Sequence, residues 1–173
     1  MDITTHLILG GARSGKSQYA EHIVSAFPPP FHYLATGRAW DDEMRERVAV
    51  HRARRDARWR TIEVPVLLAD ALDEAGERPV LVDCLTLWLT NLILEEHDIE
   101  AAVSGLIAAL GRRQGPTVLV GSEVGMGIVP ENALARRFRD EAGLLHQRVA
   151  AVADRVVLVV AGLPLVVKGS AGP

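Results

Sequence analysis

The stretch Gly10-Gly11-Ala12-Arg13-Ser14-Gly15-Lys16-Ser17 fits the pattern G-x-x-x-x-G-K-S/T in full. It follows the apolar run Leu7–Leu9 and leads into a helical stretch at Gln18, which is the strand–loop–helix context that this motif requires. In that context the glycines let backbone N–H groups point at phosphate oxygens, and the helix N-terminus adds the positive end of its dipole. We therefore expect Gly10–Ser17 to bind a nucleotide, with Lys16 neutralising the β- and γ-phosphates and the Ser17 hydroxyl holding Mg²⁺.

Around this motif, apolar β-branched runs alternate with amphipathic stretches. Near-continuous apolar runs such as Val80–Val82 are typical of strands covered on both faces, as in a parallel sheet. The alternation predicts an α/β domain with a mainly parallel sheet flanked by helices. The predicted strands are His6–Gly10, Phe31–Thr36, Val80–Asp83, Thr117–Gly121 and Val156–Val160. The predicted helices are Lys16–Ala26, Asp41–Asp56, Val66–Ala75, Leu85–Leu94, Ile99–Arg112 and Asn132–Ala153.

Composition narrows the class of protein. The 173 residues predict one domain spanning positions 1–173, and 49% hydrophobic with 24% charged residues is typical of a globular protein. A formal net charge of −3 and only eight aromatic residues argue against a protein that coats nucleic acid. Lysine occurs only at Lys16 and Lys168. Its presence in the motif therefore favours phosphate binding over a glycine-rich turn that binds nothing.

Cysteine usage and hydropathy predict the compartment. The single cysteine, Cys84, cannot form an internal disulfide, so a reducing cytoplasm is expected. The longest apolar run, Val156–Val167, is interrupted by Pro164 and is too short to span a bilayer, so we expect no transmembrane segment. The N-terminus lacks the basic start and apolar stretch of a signal peptide.

Two carboxylates follow predicted strands. Asp83 closes the run Val80–Val82, where an acid can hold Mg²⁺ directly or through water; the alternative is the N-cap of the next helix. Glu123 comes just after the strand that ends at Gly121. Ligands of open α/β sheets gather outside the carboxyl ends of the strands, so both acids are expected to lie near the phosphate loop. The residue type and spacing of Glu123 leave its role open.

An arginine-rich stretch lies between Arg38 and Arg60, with eight arginines against five acids. On the predicted helix Asp41–Asp56, Arg47, His51 and Arg55 are spaced i, i+4, i+8 and share one face. One interpretation is a solvated helix with ion pairs, which the spacing alone favours. In the other, the arginines bind polyphosphate while the imidazole attacks phosphorus and forms a covalent phosphoramidate.

Further short stretches follow the phosphate loop in an order found in one enzyme family. They are Tyr33–Thr36 with Asp41-Asp42-Glu43-Met44, His51 ahead of Trp59-Arg60-Thr61-x-Glu63, Val82–Asn91, Glu123–Asn132, Ala135–Asp140 and Ala161–Pro164. In these stretches, nearly end to end, the chain resembles the bifunctional adenosylcobinamide kinase / adenosylcobinamide-phosphate guanylyltransferases of cobalamin biosynthesis.

The resemblance implies two reactions. In the first, the aminopropanol hydroxyl of adenosylcobinamide receives the γ-phosphoryl group of ATP or GTP. In the second, GTP guanylylates a histidine with release of pyrophosphate, and the GMP passes to adenosylcobinamide phosphate to give adenosylcobinamide-GDP. The family's nucleophilic histidine lies between the D-D-E-M and W-R-T motifs, an interval that here holds only His51.

The resemblance also implies a RecA-type P-loop fold that assembles as a trimer with a site shared between subunits. His51 and Lys16 are the expected catalytic residues, and Ser17 and Asp83 the expected Mg²⁺ ligands. Our hypothesis is that Arg47 and Arg55 orient the α-phosphate of GTP beside His51. The expected nucleotide-binding residues are Gly10–Ser17, Arg47, Arg55, Glu63 and Asp83.

Two other functions are compatible with a phosphate loop. One is a small-molecule kinase that uses the arginine-rich helix to clamp phosphates and forms no covalent nucleotide. The other is a nucleotide-operated switch or regulatory ATPase. A GTPase switch is disfavoured because no Asp-x-x-Gly follows the Asp83 strand and no Asn-Lys-x-Asp occurs in the chain.

Overall fold

Seven strands and five helices alternate along residues 4–38 and 56–169, the part of the chain that the computed structural model describes. The strands are β1 (Thr5–Gly10), β2 (Phe31–Ala35), β3 (Trp59–Glu63), β4 (Val80–Asp83), β5 (Thr117–Ser122), β6 (Arg155–Val160) and β7 (Leu163–Lys168). The helices are α1 (Lys16–Ser25), α2 (Leu68–Glu74), α3 (Leu85–Leu94), α4 (Ile99–Arg112) and α5 (Ala133–Val152).

The strands form one sheet in the order β3-β2-β4-β5-β1-β6-β7. Every pairing is parallel except that of β6 with β7, which is antiparallel. The carboxyl ends of six strands therefore meet at one edge of the sheet. Strand β5 lies between β1, which leads into the phosphate loop, and β4, which ends at Asp83.

Both faces of the sheet are covered, which explains the continuous apolar runs of the central strands. In β4, Val80 and Val82 join the apolar cluster formed with α2, α3, α4 and α5, while Leu81 joins the cluster that contains Ala20 and Val24 of α1. The sheet thus separates α1 from the other four described helices. The phosphate loop lies where α1 begins, at the carboxyl edge of β1.

All five predicted strands are present, and α3 and α4 have the predicted bounds. The predicted helix Val66–Ala75 begins later, at Leu68. Helix α5 begins after Asn132, whose side chain caps it by accepting from the N–H groups of Leu134 and Ala135. The predicted helix Asp41–Asp56 lies, apart from its last residue, outside the described residues.

The sequence did not predict β3 and β7. The apolar run Val156–Val167 folds back on itself at Ala161 and Gly162, whose φ angles are +51° and +79°. Positive φ at both central positions is the mark of a two-residue hairpin turn whose twist matches the flanking strands. The single run is therefore two antiparallel strands. In the described residues no helix combines the length and the apolar character needed to cross a bilayer.

Candidate active site

The phosphate loop is a compact turn between Gly10, the last residue of β1, and Lys16, the first residue of α1. The amide of Ser14 donates to the carbonyl of Gly11 at 3.3 Å, and the Lys16 ammonium donates to the same carbonyl at 3.1 Å. The Ser14 hydroxyl is buried and has no hydrogen-bond partner within the described residues. A buried, unsatisfied hydroxyl is a polar group that a bound ligand or an ordered water can satisfy.

Two glycines in this loop are required by geometry. A Cβ at Gly10 would overlap the Ser14 hydroxyl and come within 2.7 Å of the Val159 carbonyl oxygen. Gly15 has a φ of +94°, which L side chains rarely adopt, and a Cβ there would lie 3.2 Å from Cα of Gly162. Glycine is therefore required at positions 10 and 15 of the motif because neighbouring atoms lie too close for a Cβ.

The turn between β6 and β7 supports the phosphate loop from outside. The amide of Gly162 donates a hydrogen bond of 2.8 Å to the carbonyl oxygen of Ser14. This contact gives a structural role to the stretch Ala161–Pro164, which the sequence singled out only through resemblance.

Asp83 ends β4 and accepts a hydrogen bond of 2.9 Å from the Tyr33 hydroxyl. The alternative role as N-cap of α3 is wrong, because the N-cap residue is Cys84 and no side chain caps that helix end. Asp83 lies opposite Val120 of β5, the strand that separates β4 from β1. Asp83 therefore lies at the same edge of the sheet as the phosphate loop.

The donors at this edge fit a magnesium ion. The Ser17 hydroxyl and the Asp83 carboxylate are hard oxygen ligands, the type that Mg²⁺ prefers, and Mg²⁺ sites commonly use few protein ligands plus phosphate oxygens. No cluster of three or more His, Cys, Asp or Glu side chains able to hold a metal occurs within residues 4–38 and 56–169.

Glu63 is not brought next to the phosphate loop. It ends β3, the edge strand, and pairs with Ala35 of β2. Four strand spacings separate β3 from β1. The distance across the sheet is therefore about 19 Å. Glu63 thus shares the carboxyl edge with Asp83 and the loop but lies at its far end.

Glu123 lies beside the start of the loop. Its backbone amide donates a 2.9 Å hydrogen bond to the carbonyl of Gly10, and its carboxylate oxygen Oε1 accepts from the amide of Gly125. His146 of α5 is buried nearby, and a Cβ at Gly121 would lie only 2.6 Å from its Nε2. Burial lowers the pKa of His146, and the negative charge of Glu123 opposes that shift. The sequence does not signal the burial of His146, because a lone histidine on a helix has no characteristic spacing.

Helix α3 fixes the chain at the carboxyl ends of β2 and β3. The Thr36 hydroxyl accepts from the amide of Cys84 and donates to its carbonyl, both at 2.7 Å. The Asn91 amide group donates to the carbonyls of Thr36 at 2.7 Å and Pro65 at 2.9 Å. The Trp88 indole donates to Val66. These contacts explain the side-chain pattern of the stretch Val82–Asn91.

Of the expected site residues, Gly10–Ser17 and Asp83 lie at the same edge of the sheet, on either side of β5. Arg47, His51 and Arg55 lie outside the described residues. Their expected roles remain predictions from the sequence.

The family model described as "Cobinamide kinase / cobinamide phosphate guanyltransferase" matches residues 6–167. The chain belongs to this family. It is 49% identical over 167 residues to the bifunctional adenosylcobalamin biosynthesis protein CobP of Pseudomonas aeruginosa, covering 94% of this chain and 96% of that protein. It is 42% identical over 179 residues to the bifunctional adenosylcobalamin biosynthesis protein CobU of Salmonella typhimurium, covering 94% and 98%. The family resemblance stated from the sequence is confirmed.

Solved structures with similar folds are much more distant in sequence. A Pyrococcus horikoshii OT3 protein superposes with a TM-score of 0.57 at 11% identity, covering 96% of this chain and 86% of that one. An ATPase from the type III secretion system of pathogenic bacteria gives 0.51 at 13% identity, covering 90% of this chain and 51% of that one. Together with the parallel sheet and the phosphate loop, these likenesses confirm the predicted fold class, an α/β P-loop domain.

Proposed function

We propose that this member of the cobinamide kinase / cobinamide phosphate guanyltransferase family carries out two successive reactions. It transfers the γ-phosphoryl group of ATP or GTP to the hydroxyl of adenosylcobinamide. It then transfers GMP from GTP, through a guanylyl group on His51, to adenosylcobinamide phosphate and so forms adenosylcobinamide-GDP. The observation that carries this proposal is the phosphate loop at the carboxyl end of β1, two strand positions from Asp83, in a chain that matches the family over residues 6–167.

The described residues suit phosphoryl transfer. Backbone N–H groups of the loop and the N-terminus of α1 bind the phosphates, and the unpartnered Ser14 hydroxyl gives one further donor. Lys16 is held at the loop by its bond to the Gly11 carbonyl, and its ammonium is proposed to neutralise the β- and γ-phosphates. These groups neutralise the charge on the transferred group, which is the main contribution a protein makes to this chemistry.

Ser17 and Asp83 are the residues that would hold Mg²⁺. When bound, the ion supplies charge neutralisation and orientation of the phosphate oxygens. The Tyr33 hydroxyl, through its 2.9 Å bond to one carboxylate oxygen of Asp83, fixes the direction of the other.

The guanylyl step uses a histidine as nucleophile. An imidazole nitrogen of His51 attacks the α-phosphorus of GTP, and the bond to the β-phosphate oxygen breaks with release of pyrophosphate. Imidazole has an ordinary pKa of about 6.5 and is largely neutral and nucleophilic at pH 7. Arg47 and Arg55 are proposed to orient the α-phosphate and, with the phosphate loop, to balance its charge.

Several broader features belong to the same proposal. The active unit is a homo-oligomer, a trimer by resemblance, whose subunits share the site, and its acceptor is a large corrinoid rather than a nucleic acid. The substrates and the single buried thiol of Cys84 agree with a reducing, cytoplasmic location. The whole chain, 1–173, is proposed to act as one domain.

A product assay tests the proposal. Purified protein is incubated with adenosylcobinamide, Mg²⁺ and ATP, then with GTP, and the corrinoids are separated by chromatography. We expect adenosylcobinamide phosphate after the first step and adenosylcobinamide-GDP after the second. Lys16→Ala is expected to lower the rate of the kinase step at least about 100-fold. Phosphorylated corrinoid without a guanylylated product would instead support the small-molecule kinase, and nucleotide hydrolysis without corrinoid would support the switch.

A further inference from the structure

Three carboxylates lie at the carboxyl ends of the described parallel strands: Glu63 is the last residue of β3, Asp83 is the last residue of β4, and Glu123 directly follows β5. A kinase needs a group that accepts the proton of the attacking hydroxyl, since a neutral alcohol is a weak nucleophile. The candidates for this role can be separated by their position and by the contacts they already make.

Glu63 and Asp83 are poorly suited to accept this proton. Glu63 is on the edge strand, about 19 Å across the sheet from the strand that carries the phosphate loop. Asp83 already accepts the Tyr33 hydroxyl and is assigned to the metal ion. A carboxylate that holds a cation is a weak proton acceptor, because the cation favours its charged form.

Glu123 is in the remaining position, immediately beside the loop. Its backbone is tied to the Gly10 carbonyl at 2.9 Å, so its Cα is fixed at the first residue of the phosphate loop. The Gly125 amide donates to Oε1. This bond orients the carboxylate and directs Oε2 away from that amide. Glu123 as a whole residue is half-buried, and its bond to the Gly125 amide is exposed, so solvent reaches this side chain.

His146 does not neutralise the negative charge of the Glu123 carboxylate. The imidazole packs against Gly121 on the same strand, and burial lowers its pKa and so favours the uncharged ring. A carboxylate beside a polyphosphate site is electrostatically unfavourable unless it binds a cation or takes up a proton during the reaction. Its placement next to the loop therefore points to a chemical role.

Resting on the proposed function, we propose that Glu123 is the general base of the kinase step. Its Oε2 takes the proton of the acceptor hydroxyl as the hydroxyl oxygen forms a bond to the γ-phosphorus of ATP. The bond between the γ-phosphorus and the β–γ bridging oxygen breaks, and ADP leaves with that electron pair. The guanylyl step has no such requirement, because its nucleophiles are a neutral imidazole and then a phosphate oxygen.

The two half-reactions allow a sharp test in one protein. Phosphoryl transfer from γ-labelled ATP to adenosylcobinamide and self-guanylylation by α-labelled GTP without corrinoid are measured for wild type and Glu123→Gln. The glutamine keeps the size and hydrogen-bonding of the side chain but cannot take up the proton. We expect kcat for phosphoryl transfer to fall about 100-fold or more, with KM for ATP and the guanylylation rate changed less than about threefold.

Controls separate a base from a structural or metal-binding role. Glu131→Gln removes an exposed acid from the same loop and is expected to leave both rates unchanged. Glu123→Ala keeps the backbone bond to Gly10 but loses the acceptor of the Gly125 amide. It is expected to regain phosphoryl transfer with added formate, which replaces the missing carboxylate.

Three results would overturn the inference: a Glu123→Gln kinase rate within about threefold of wild type, a parallel loss of both half-reactions, or no rescue of Glu123→Ala by formate. If the wild-type protein itself makes neither product, the proposed function fails instead.

Discussion

The amide of Gly162 donates a 2.8 Å hydrogen bond to the carbonyl oxygen of Ser14, which joins the β6–β7 turn to the centre of the phosphate loop. The loop is therefore held from two sides, by its own helix α1 and by an antiparallel hairpin distant in sequence. We expect a loop held in this way to bind phosphate without first being ordered, so that substitutions in the hairpin turn alter nucleotide binding.

Replacing Gly162 tests that connection. Its φ of +79° is unfavourable for any residue with a Cβ, although no heavy atom lies within 4 Å of the position a Cβ would take. We expect Gly162→Ala to lower the free energy of unfolding by about 1 kcal/mol and to weaken nucleotide binding. Urea unfolding and nucleotide titration measure the two effects.

Gly111 of α4 is the matched control. It also has no heavy atom within 4 Å of a Cβ, but it lies in a helix. Gly111→Ala should therefore raise the unfolding free energy by about 0.5 to 1 kcal/mol and leave nucleotide affinity unchanged. If both variants changed the unfolding free energy and the nucleotide affinity alike, strain at Gly162 would not explain the effect of Gly162→Ala.

Gly10 tests the close packing within the loop. Gly10→Ala would place a methyl group within 2.7 Å of the Val159 carbonyl, so the loop must shift. We expect a loss of about 1 to 3 kcal/mol in the free energy of unfolding and at least about tenfold weaker binding of ATP. Calorimetric titration with ATP measures the binding. Unchanged affinity would show that the loop shifts away from β6 without cost to the site.

Asn91 is expected to be important for stability. It is 1% exposed and donates to two backbone carbonyls, those of Thr36 and Pro65. Asn91→Ala leaves both carbonyls without this donor and opens space at the helix, so the free energy of unfolding should fall by about 2 to 4 kcal/mol. Thr90→Ala removes only a hydrogen bond to the Thr86 carbonyl within the helix. It should lower the free energy of unfolding, measured with urea, by less than about 1 kcal/mol. Equal losses for the two variants would contradict this assignment.

Cys84 predicts a pH dependence of stability. Burial, followed by the negative charge of Asp83, raises the pKa of its thiol from 9.0 to about 11. Since the unfolded thiol loses its proton first, the stabilisation is complete below pH 9 and is lost as pH rises towards 11. Between these values the unfolding free energy of wild type should fall by roughly 1 kcal/mol per pH unit relative to Cys84→Ala. Urea unfolding of both proteins at pH 8 to 10.5 measures this difference, and parallel pH profiles would contradict the prediction.

The sequence predicted the features that depend on local pattern. The phosphate loop and the central strands follow from glycine spacing and continuous apolar runs, both visible without tertiary contacts. Strand β3 was missed because Trp59–Glu63 is an edge strand whose residues are at most half-buried, so it lacks such a run. Strand β7 was missed because only the turn at Gly162 divides it from β6.

The candidate site was predicted less completely than the fold. Asp83 was identified by its position after a strand, but its alternative as a helix cap could be excluded only in three dimensions. The role of Thr36 and the approach of His146 to Gly121 depend on contacts between distant parts of the chain. Contacts between residues so far apart in the chain leave no recognisable pattern in the sequence.

The central claim is that GMP becomes bound to His51, and an intact mass measurement tests it most directly. Wild type, His51→Ala and the control His97→Ala, which changes an exposed histidine, are incubated with GTP and Mg²⁺ without corrinoid. The account predicts a gain of one GMP in wild type and His97→Ala that is lost in acid, as expected of a phosphoramidate, and no gain in His51→Ala. A wild-type protein that binds GTP but gains no mass, or a His51→Ala protein that gains it, would contradict the account.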